Sequence, residues 1–252
     1  MTKQERMTEL FFELFTGLPR QGPGDDASTL KALAHVPNIG PDTRILDLGC
    51  GTGRQTRALA RNSPARLVGI DNHLPYVETA NEEARTEGLA DRMEFRVGDM
   101  CRLDLPDNSC DVLWCEGAIY VIGFENGLRQ WRRLVRATGH LAVTEACWMK
   151  PDPPHECEAY WAAEYPAIRG VGALLSVANS CGWEPLAHFS LPSESWWTDY
   201  YGPLQDNLVR FRRRHEHELD AHELVGQVQR EIDMWRRYGD FYGYEFIVMR
   251  PR

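Results

Sequence analysis

Several absences bound this 252-residue chain before any motif is considered. No uninterrupted apolar run approaches the ~20 residues that a bilayer span requires. The opening stretch, MTKQERMTELFFELF, lacks the long apolar core and small-residue cleavage site of a secretory leader. A cytoplasmic location and no membrane partner are therefore expected. Positive charge is also short: 28 Lys and Arg stand against 37 Asp and Glu, a formal net charge of −9. Affinity for nucleic acid comes from rows of cations set on phosphates, so the acidic balance argues against a nucleic-acid partner and none is expected. The seven cysteines are odd in number and no two have C-x-x-C spacing, which excludes a zinc ribbon or a dithiol redox pair. They read as reduced and mostly buried. With 43% hydrophobic and 26% charged residues, no internal repeat and no low-complexity tract, the composition is that of an ordinary globular protein.

From Arg44 to about Trp148, short apolar runs alternate with amphipathic stretches, the pattern of repeated βα units on a parallel sheet. RILDLG, RLVGID, MEFRVGD, CDVLWCE and HLAVTEA are the strand candidates. Pro75–Glu87 and Glu125–Ala137 have helical spacing. Upstream, Leu10, Phe11, Leu14 and Phe15 share a helical face, then GLPRQGPG links to a short helix with Asp26 or Ser28 as N-cap. Downstream, PDPPHE breaks the chain, a helix is expected from about Ile168 to Cys181, and EPLAHFSLP and YEFIVMR read as strands. Between those two strands, Val225, Val228, Ile232 and Trp235 mark a further helix. The expected fold is α/β: a Rossmann-like, doubly wound, mostly parallel seven-stranded sheet with helices on both faces and a helical insertion before the last strand.

The sharpest signal is Ile45-Leu46-Asp47-Leu48-Gly49-Cys50-Gly51-Thr52-Gly53, an apolar strand running into a glycine-rich turn and then a helix. Such a turn allows a ligand to approach the backbone closely. The next strand ends in Asp71, 24 residues after Asp47, where a carboxylate can accept both hydroxyls of a ribose. A dinucleotide fingerprint G-x-G-x-x-G would need glycine at Arg54, and a phosphate loop would need a lysine after the glycines. Neither is present, so the ligand need not carry a pyrophosphate.

At these residues the chain resembles the class I S-adenosylmethionine-dependent methyltransferases, and more narrowly bacterial small-molecule methyltransferases of the ubiquinone-biosynthesis type. The resemblance is strong from about Arg44 to Trp148 and extends in outline to the final strand. It implies S-adenosyl-L-methionine as cofactor, seated on Gly49, Cys50, Gly51 and Gly53 with Asp47 opening the motif. It further implies that Asp71, beside Asn72, holds the ribose and that Asp99, with Met100, meets the adenine. Asn72 departs from the family, where an apolar residue often packs on the adenine. Glu116, Gly117, Ala118, Ile119 and Tyr120, after the fourth strand, would line the transfer cleft. Glu116 is a candidate both for cofactor contact and for deprotonating or orienting an acceptor, equally balanced against a structural hydrogen-bonding role. Tyr120 is the second catalytic candidate and an acceptor contact. No Asn/Asp-Pro-Pro-Tyr segment follows the fourth strand.

Methyl transfer requires water to be excluded, and the sheet supplies a floor but no roof. Two aromatic-rich segments are available to cover it: the N-terminal stretch, whose Gln21 and Gly22 would reach the methionine end of the cofactor, and the insertion, with Trp196, Trp197 and Tyr200 as acceptor contacts beside Tyr201. Core packing or a homodimer contact would equally explain these aromatics, and Tyr160, Trp161 and Tyr165 pose the same choice. The organisation expected is an N-terminal helical cap over 1–36, a methyltransferase core over 37–192 and 244–252, and an insertion over 193–243 covering the acceptor side. His215, Glu218 and His222 would share a helical face at a spacing a metal could use, but no fourth ligand can be named and a solvated face is the expectation, with no metal. Arg210, Arg212, Arg213 and Arg214 read as an ion-paired surface. A small-molecule methyltransferase is thus expected, with a non-catalytic protein binding the cofactor or its demethylated product as the alternative. A nicotinamide-dependent oxidoreductase is disfavoured by Arg54.

Overall fold

The computed structural model describes residues 2–252. The chain begins with two helices, α1 (Lys3–Phe15) and α2 (Asp26–Leu33), and then alternates β1 (Arg44–Leu48), α3 (Arg54–Arg61), β2 (Arg66–Asp71), α4 (Leu74–Thr86), β3 (Met93–Val97), β4 (Cys110–Cys115), α5 (Phe124–Trp131) and β5 (Val135–Trp148). Then follow α6 (His155–Glu164), a two-residue β6 (Arg169–Gly170), α7 (Val171–Ser180), β7 (Trp183–Ser190), α8 (Glu194–Trp196) running into a π-helical turn at Trp197–Tyr201, α9 (Gly202–Arg214), α10 (Leu219–Tyr238) and β8 (Tyr242–Pro251). The strands lie in the order β3-β2-β1-β4-β5-β8-β7, with β1 to β5 parallel, β8 antiparallel to both neighbours, and β6 paired to the end of β5. The expected seven strands are present, and β6 is added to them.

Burial on both faces explains why the central strands read as unbroken apolar runs. Leu46 and Leu48 point to the face covered by α5 and α7, where Leu128, Trp131 and Leu174 pack. Ile45 points to the opposite face, with Leu59 of α3 and Ala80 of α4. A third apolar cluster is mainly helical and touches the sheet at Tyr242 of β8. It joins Leu10 and Leu14 of α1 to Trp196, Leu204 of α9, and Leu224, Ile232 and Trp235 of α10. Residues 1–36 therefore divide: α1 packs into this helical layer, whereas Ala32 and Leu33 of α2 join the cluster on the sheet.

Local boundaries depart from expectation for identifiable reasons. The N-cap of α2 is Asp25, not Asp26 or Ser28, because its side chain accepts from the Ser28 N–H at 2.6 Å. The helix expected to reach Ala137 stops at Trp131, since β5 already begins at Val135. Pro154 breaks the chain only to serve as the residue before α6, where proline's fixed φ suits a helix entrance. His215 ends α9 and Glu218 opens α10, so His215, Glu218 and His222 share no continuous helix. Instead His215 bonds Glu218 at 2.8 Å and Glu13 of α1 at 3.0 Å, stitching three helices together.

The helical layer is a separate apolar centre, so its loss should be felt as a folding defect. Leu10→Ala, at a fully buried position of α1, is expected to lower stability by about 2–5 kcal/mol, read from the denaturant midpoint. An unchanged midpoint would show that α1 does not contribute to the cooperative fold.

Candidate active site

The glycine turn sits at the C-terminal end of β1, where the strand order reverses between β1 and β4, the crevice in which open parallel sheets bind ligands. Gly49, Gly51 and Gly53 all have left-handed φ, of +69°, +54° and +76°. At Gly51 the backbone requires this and the space does too: an added Cβ would meet Gln21 Oε1 at 2.6 Å. The Gly51 N–H donates to Asp71 Oδ2 at 2.8 Å and the His73 N–H to Oδ1 at 2.9 Å. Two backbone amides thus fix the Asp71 carboxylate, while each oxygen keeps capacity for a further donor.

A cavity of about 280 Å³ opens over this turn. Of the residues singled out in the sequence, Gly49, Cys50, Gly51, Asp71, Asn72, Asp99, Met100, Glu116 and Tyr120 line it, and Gln21 and Gly22 close it from the N-terminal side. Gln21 Oε1 accepts from the Thr52 N–H at 3.1 Å and so lies across the glycine turn. Asp99 Oδ1 accepts from the Cys101 N–H at 2.8 Å, which orients its carboxylate. Near Asp71, Phe12 of α1 stacks flat on His73 at 3.5 Å between ring centres and meets Tyr76 edge-on. Met100, Ile70 and Val121 add apolar lining to this cavity.

Two expected cofactor contacts do not reach this cavity. Period-two alternation places Asp47 on the same face as Ile45, beneath α3, where it is fully buried and accepts from Thr56 Oγ1 at 2.6 Å. Its other oxygen has no partner, and burial, reinforced by Glu116 and Asp71, pushes the carboxyl up to about 8 against the bond from Thr56. Gly53 instead opens α3 and leaves room for the Phe95 ring.

Glu116 lines the cavity, but its carboxylate is already engaged. Oε1 accepts from Thr29 Oγ1 at 2.7 Å and Trp114 Nε1 at 2.8 Å, and Oε2 pairs with Arg20 at 3.2 Å, both side chains being about 5% exposed. Arg20 also reaches Asp26 at 2.9 Å. This corrects the reading of Glu116 as a catalytic base: it clamps the N-terminal segment to the end of β4. Nothing in the sequence signalled the clamp, whose members are 96 and 87 residues apart.

A second chamber of about 380 Å³ adjoins the first and shares Phe11, Gln21, Gly22, Pro23, Gly117 and Tyr120 with it. Tyr120 thus stands at the junction. Trp196 and Tyr200 line the second chamber, but Trp197 lines neither; its ring carries the Arg236 guanidinium at 5.2 Å. Trp197 is corrected from an acceptor contact to a packing residue. Tyr160, Trp161 and Tyr165 of α6 and its C-terminal end do face the chamber. Glu231 of α10 was missed, although a signal existed: it interrupts the apolar face formed by Leu224, Val228 and Trp235.

Residues 45–139 match the family model described as a methyltransferase domain. A sterol 24-C-methyltransferase from Gibberella zeae is 28% identical over 222 residues, 78% of this chain and 57% of that protein. The chain spans about half the length of the curated relatives it matches. The crystal structure of an S-adenosylmethionine-dependent methyltransferase from Geobacter sulfurreducens, solved with S-adenosyl-L-homocysteine, superposes with a TM-score of 0.82 at 22% identity, covering 97% of this chain and 98% of that one. The cyclase SpnF superposes at 0.76 with 22% identity, over 98% of this chain and 94% of that one. The chain shares its fold with these solved structures, and residues 45–139 are similar to a methyltransferase domain, in line with the motifs.

Asp47 gives stability a pH dependence of defined sign. Below about 4 the folded and unfolded chains both carry its proton; from there to about 8 only the unfolded chain releases it, and the stabilisation is lost as pH rises through that window. Denaturation of Asp47→Asn and of the unaltered protein should therefore show the variant gaining relative stability between pH 5 and 8.5. A difference that does not change with pH would mean that Asp47 is ionised throughout.

Proposed function

We propose that the protein is an S-adenosylmethionine-dependent methyltransferase acting on a small-molecule acceptor by in-line methyl transfer. The observation that carries this reading is the pair of adjoining cavities: one has the glycine turn and strand-end carboxylates, the other is largely aromatic, and Tyr120 and the Gln21–Pro23 segment stand between them. The cofactor, when bound, supplies a methyl group activated on a sulfonium. The residues present fit it, because Gly49, Cys50 and Gly51 line an open cavity and Asp71 retains acceptor capacity for ribose hydroxyls. Gly49, Cys50 and Gly51 would lie beneath it, Asp99 and Met100 at the adenine, and Gln21 and Gly22 at the methionine end.

The remaining task is to hold the acceptor in line and keep water out. We assign that cover to α1, with the segment through Gly24, and to residues 193–243, whose shared apolar cluster makes them one layer over the cleft. The sterol and cyclase names among similar proteins support a small organic acceptor over nucleic acid, in keeping with the net charge of −9. Among the described residues no helix is long and apolar enough to cross a membrane, and seven unpaired cysteines favour a reducing compartment such as the cytoplasm.

Calorimetry with S-adenosyl-L-homocysteine tests the cofactor site. Micromolar binding is expected, and Asp71→Ala should weaken it by roughly 1–3 kcal/mol by leaving ribose hydroxyls unpaired. Absence of binding to the unaltered protein, or equal affinity in the variant, would overturn the assignment. Release of S-adenosyl-L-homocysteine in the presence of acceptor, followed by mass spectrometry, separates transfer from binding alone.

A further inference from the structure

The aromatic chamber has an unusual electrical character. Its walls include Tyr120, Tyr160, Trp161, Tyr200, Tyr201 and Tyr244, yet α10 also places Glu231 among them. Glu231 Oε1 accepts from Tyr201 Oη at 2.8 Å and more distantly from Tyr200 Oη at 3.5 Å, whereas Oε2 has no hydrogen bond from the protein. Among the described residues no Lys, Arg or His comes within ion-pair distance of Glu231 or of Glu164, the second carboxylate of the chamber. The one cationic side chain in the wall, Arg230, is exposed and has its guanidinium over the Tyr160 ring at 5.5 Å. Glu231 therefore stands inside the chamber, while the exposed Glu164 and the exposed Arg230 lie at its edge.

Three polar atoms of the lining residues are unpartnered. Trp161 Nε1, Trp196 Nε1 and Tyr242 Oη belong to residues lining the chamber, are buried, and have no partner within the protein. Buried polar groups are normally satisfied, so three unpartnered ones in this wall make it more polar than its aromatic lining suggests.

Resting on the methyltransferase reading, we propose that the acceptor is an organic amine that enters as its ammonium ion, with Glu231 as its counter-charge and the surrounding tyrosine and tryptophan faces as a cation-binding wall. Aromatic faces attract organic cations through their quadrupoles, and more strongly where water is excluded. A neutral or anionic acceptor would leave the Glu231 carboxylate buried beside apolar or like-charged surface, which is unfavourable. Burial raises the Glu231 pKa against the bonds from Tyr201 and Tyr200, with Glu164 adding to the rise, and an arriving cation opposes that shift by favouring the carboxylate. Transfer to such an acceptor needs no further reactant. The ammonium gives a proton to Glu231, the freed nitrogen lone pair forms the N–CH3 bond, and the C–S electron pair returns to sulfur.

Choline and 3,3-dimethylbutan-1-ol have the same shape and differ in one atom, a cationic nitrogen against a neutral carbon. Both are titrated calorimetrically into the full chain, with and without S-adenosyl-L-homocysteine. Choline should bind at least about tenfold more tightly, and Glu231→Gln should bring the two within about twofold while leaving the affinity for S-adenosyl-L-homocysteine unchanged. Equal binding of the two probes, no binding of either at about 10 mM, or a preference that survives Glu231→Gln would overturn the proposal. The preference in the unaltered protein remains decisive if the variant does not fold. Failure of S-adenosyl-L-homocysteine to bind would instead sink the methyltransferase reading, and the titration without it still reports on the cation site.

Discussion

The buried contact between Arg20 and Glu116 is the constraint on which the site depends. A carboxylate held among apolar residues must be met by donors, and Glu116 is met by Arg20, Thr29 and Trp114 together. Trp114 belongs to β4, Thr29 to α2 and Arg20 to the link between the first two helices. One charged group therefore ties the central sheet to the segment that crosses the mouth of the cleft. Gln21, Gly22 and Pro23 take up their places between the two cavities because the residue before them is anchored.

The same anchor couples the core to the helical layer. From Arg20 the backbone N–H reaches the Asp199 carbonyl at 3.3 Å, and the Gly24 N–H reaches that of Ser195 at 3.1 Å. Asp25 adds a side-chain bond to Ser195. The insertion thus closes onto the link through backbone groups as well as through the apolar cluster of α1, α9 and α10. Ion pairs at the rim, such as Lys3 with Glu223 and Arg214 with Glu13, are exposed and contribute little by comparison.

The half of the site that the sequence reveals is the half that the sheet builds. Gly49 to Gly53, Asp71 and Asp99 stand at strand ends, so a strand pattern and a spacing are enough to bring them to one rim. Even there, side-chain direction matters: Asp47 lies within the strand, and alternation turns it under α3, which a motif read as a string of letters does not show. Trp197 and Trp196 are adjacent in sequence and similar in kind, yet a π-helical turn sends only Trp196 into the chamber. Arg20 and Glu116 meet across 96 residues, and no local periodicity encodes such a contact. Glu231 is the intermediate case, an acid on an apolar helical face whose meaning depends on what α10 packs against.

Electrostatics links the two halves. An ammonium drawn up to a sulfonium brings like charges together, a repulsion of roughly 4 kcal/mol at 4 Å for an effective dielectric near 20. On the proposed assignment that repulsion is countered from the acceptor side, since Glu116 is already neutralised by Arg20 and Asp71 is turned to the ribose side of the cavity. Glu231, without a cationic partner within ion-pair distance, is the carboxylate still available. Its tyrosine bonds hold it in place without cancelling its charge. The reaction then removes the conflict at its source: the acceptor nitrogen gives up a proton before it can act as a nucleophile, and positive charge leaves the sulfur as the new bond forms. A chamber with its carboxylate balanced by a lysine or arginine would lose this asymmetry; among the described lining residues the one such side chain is Arg230, at the exposed edge.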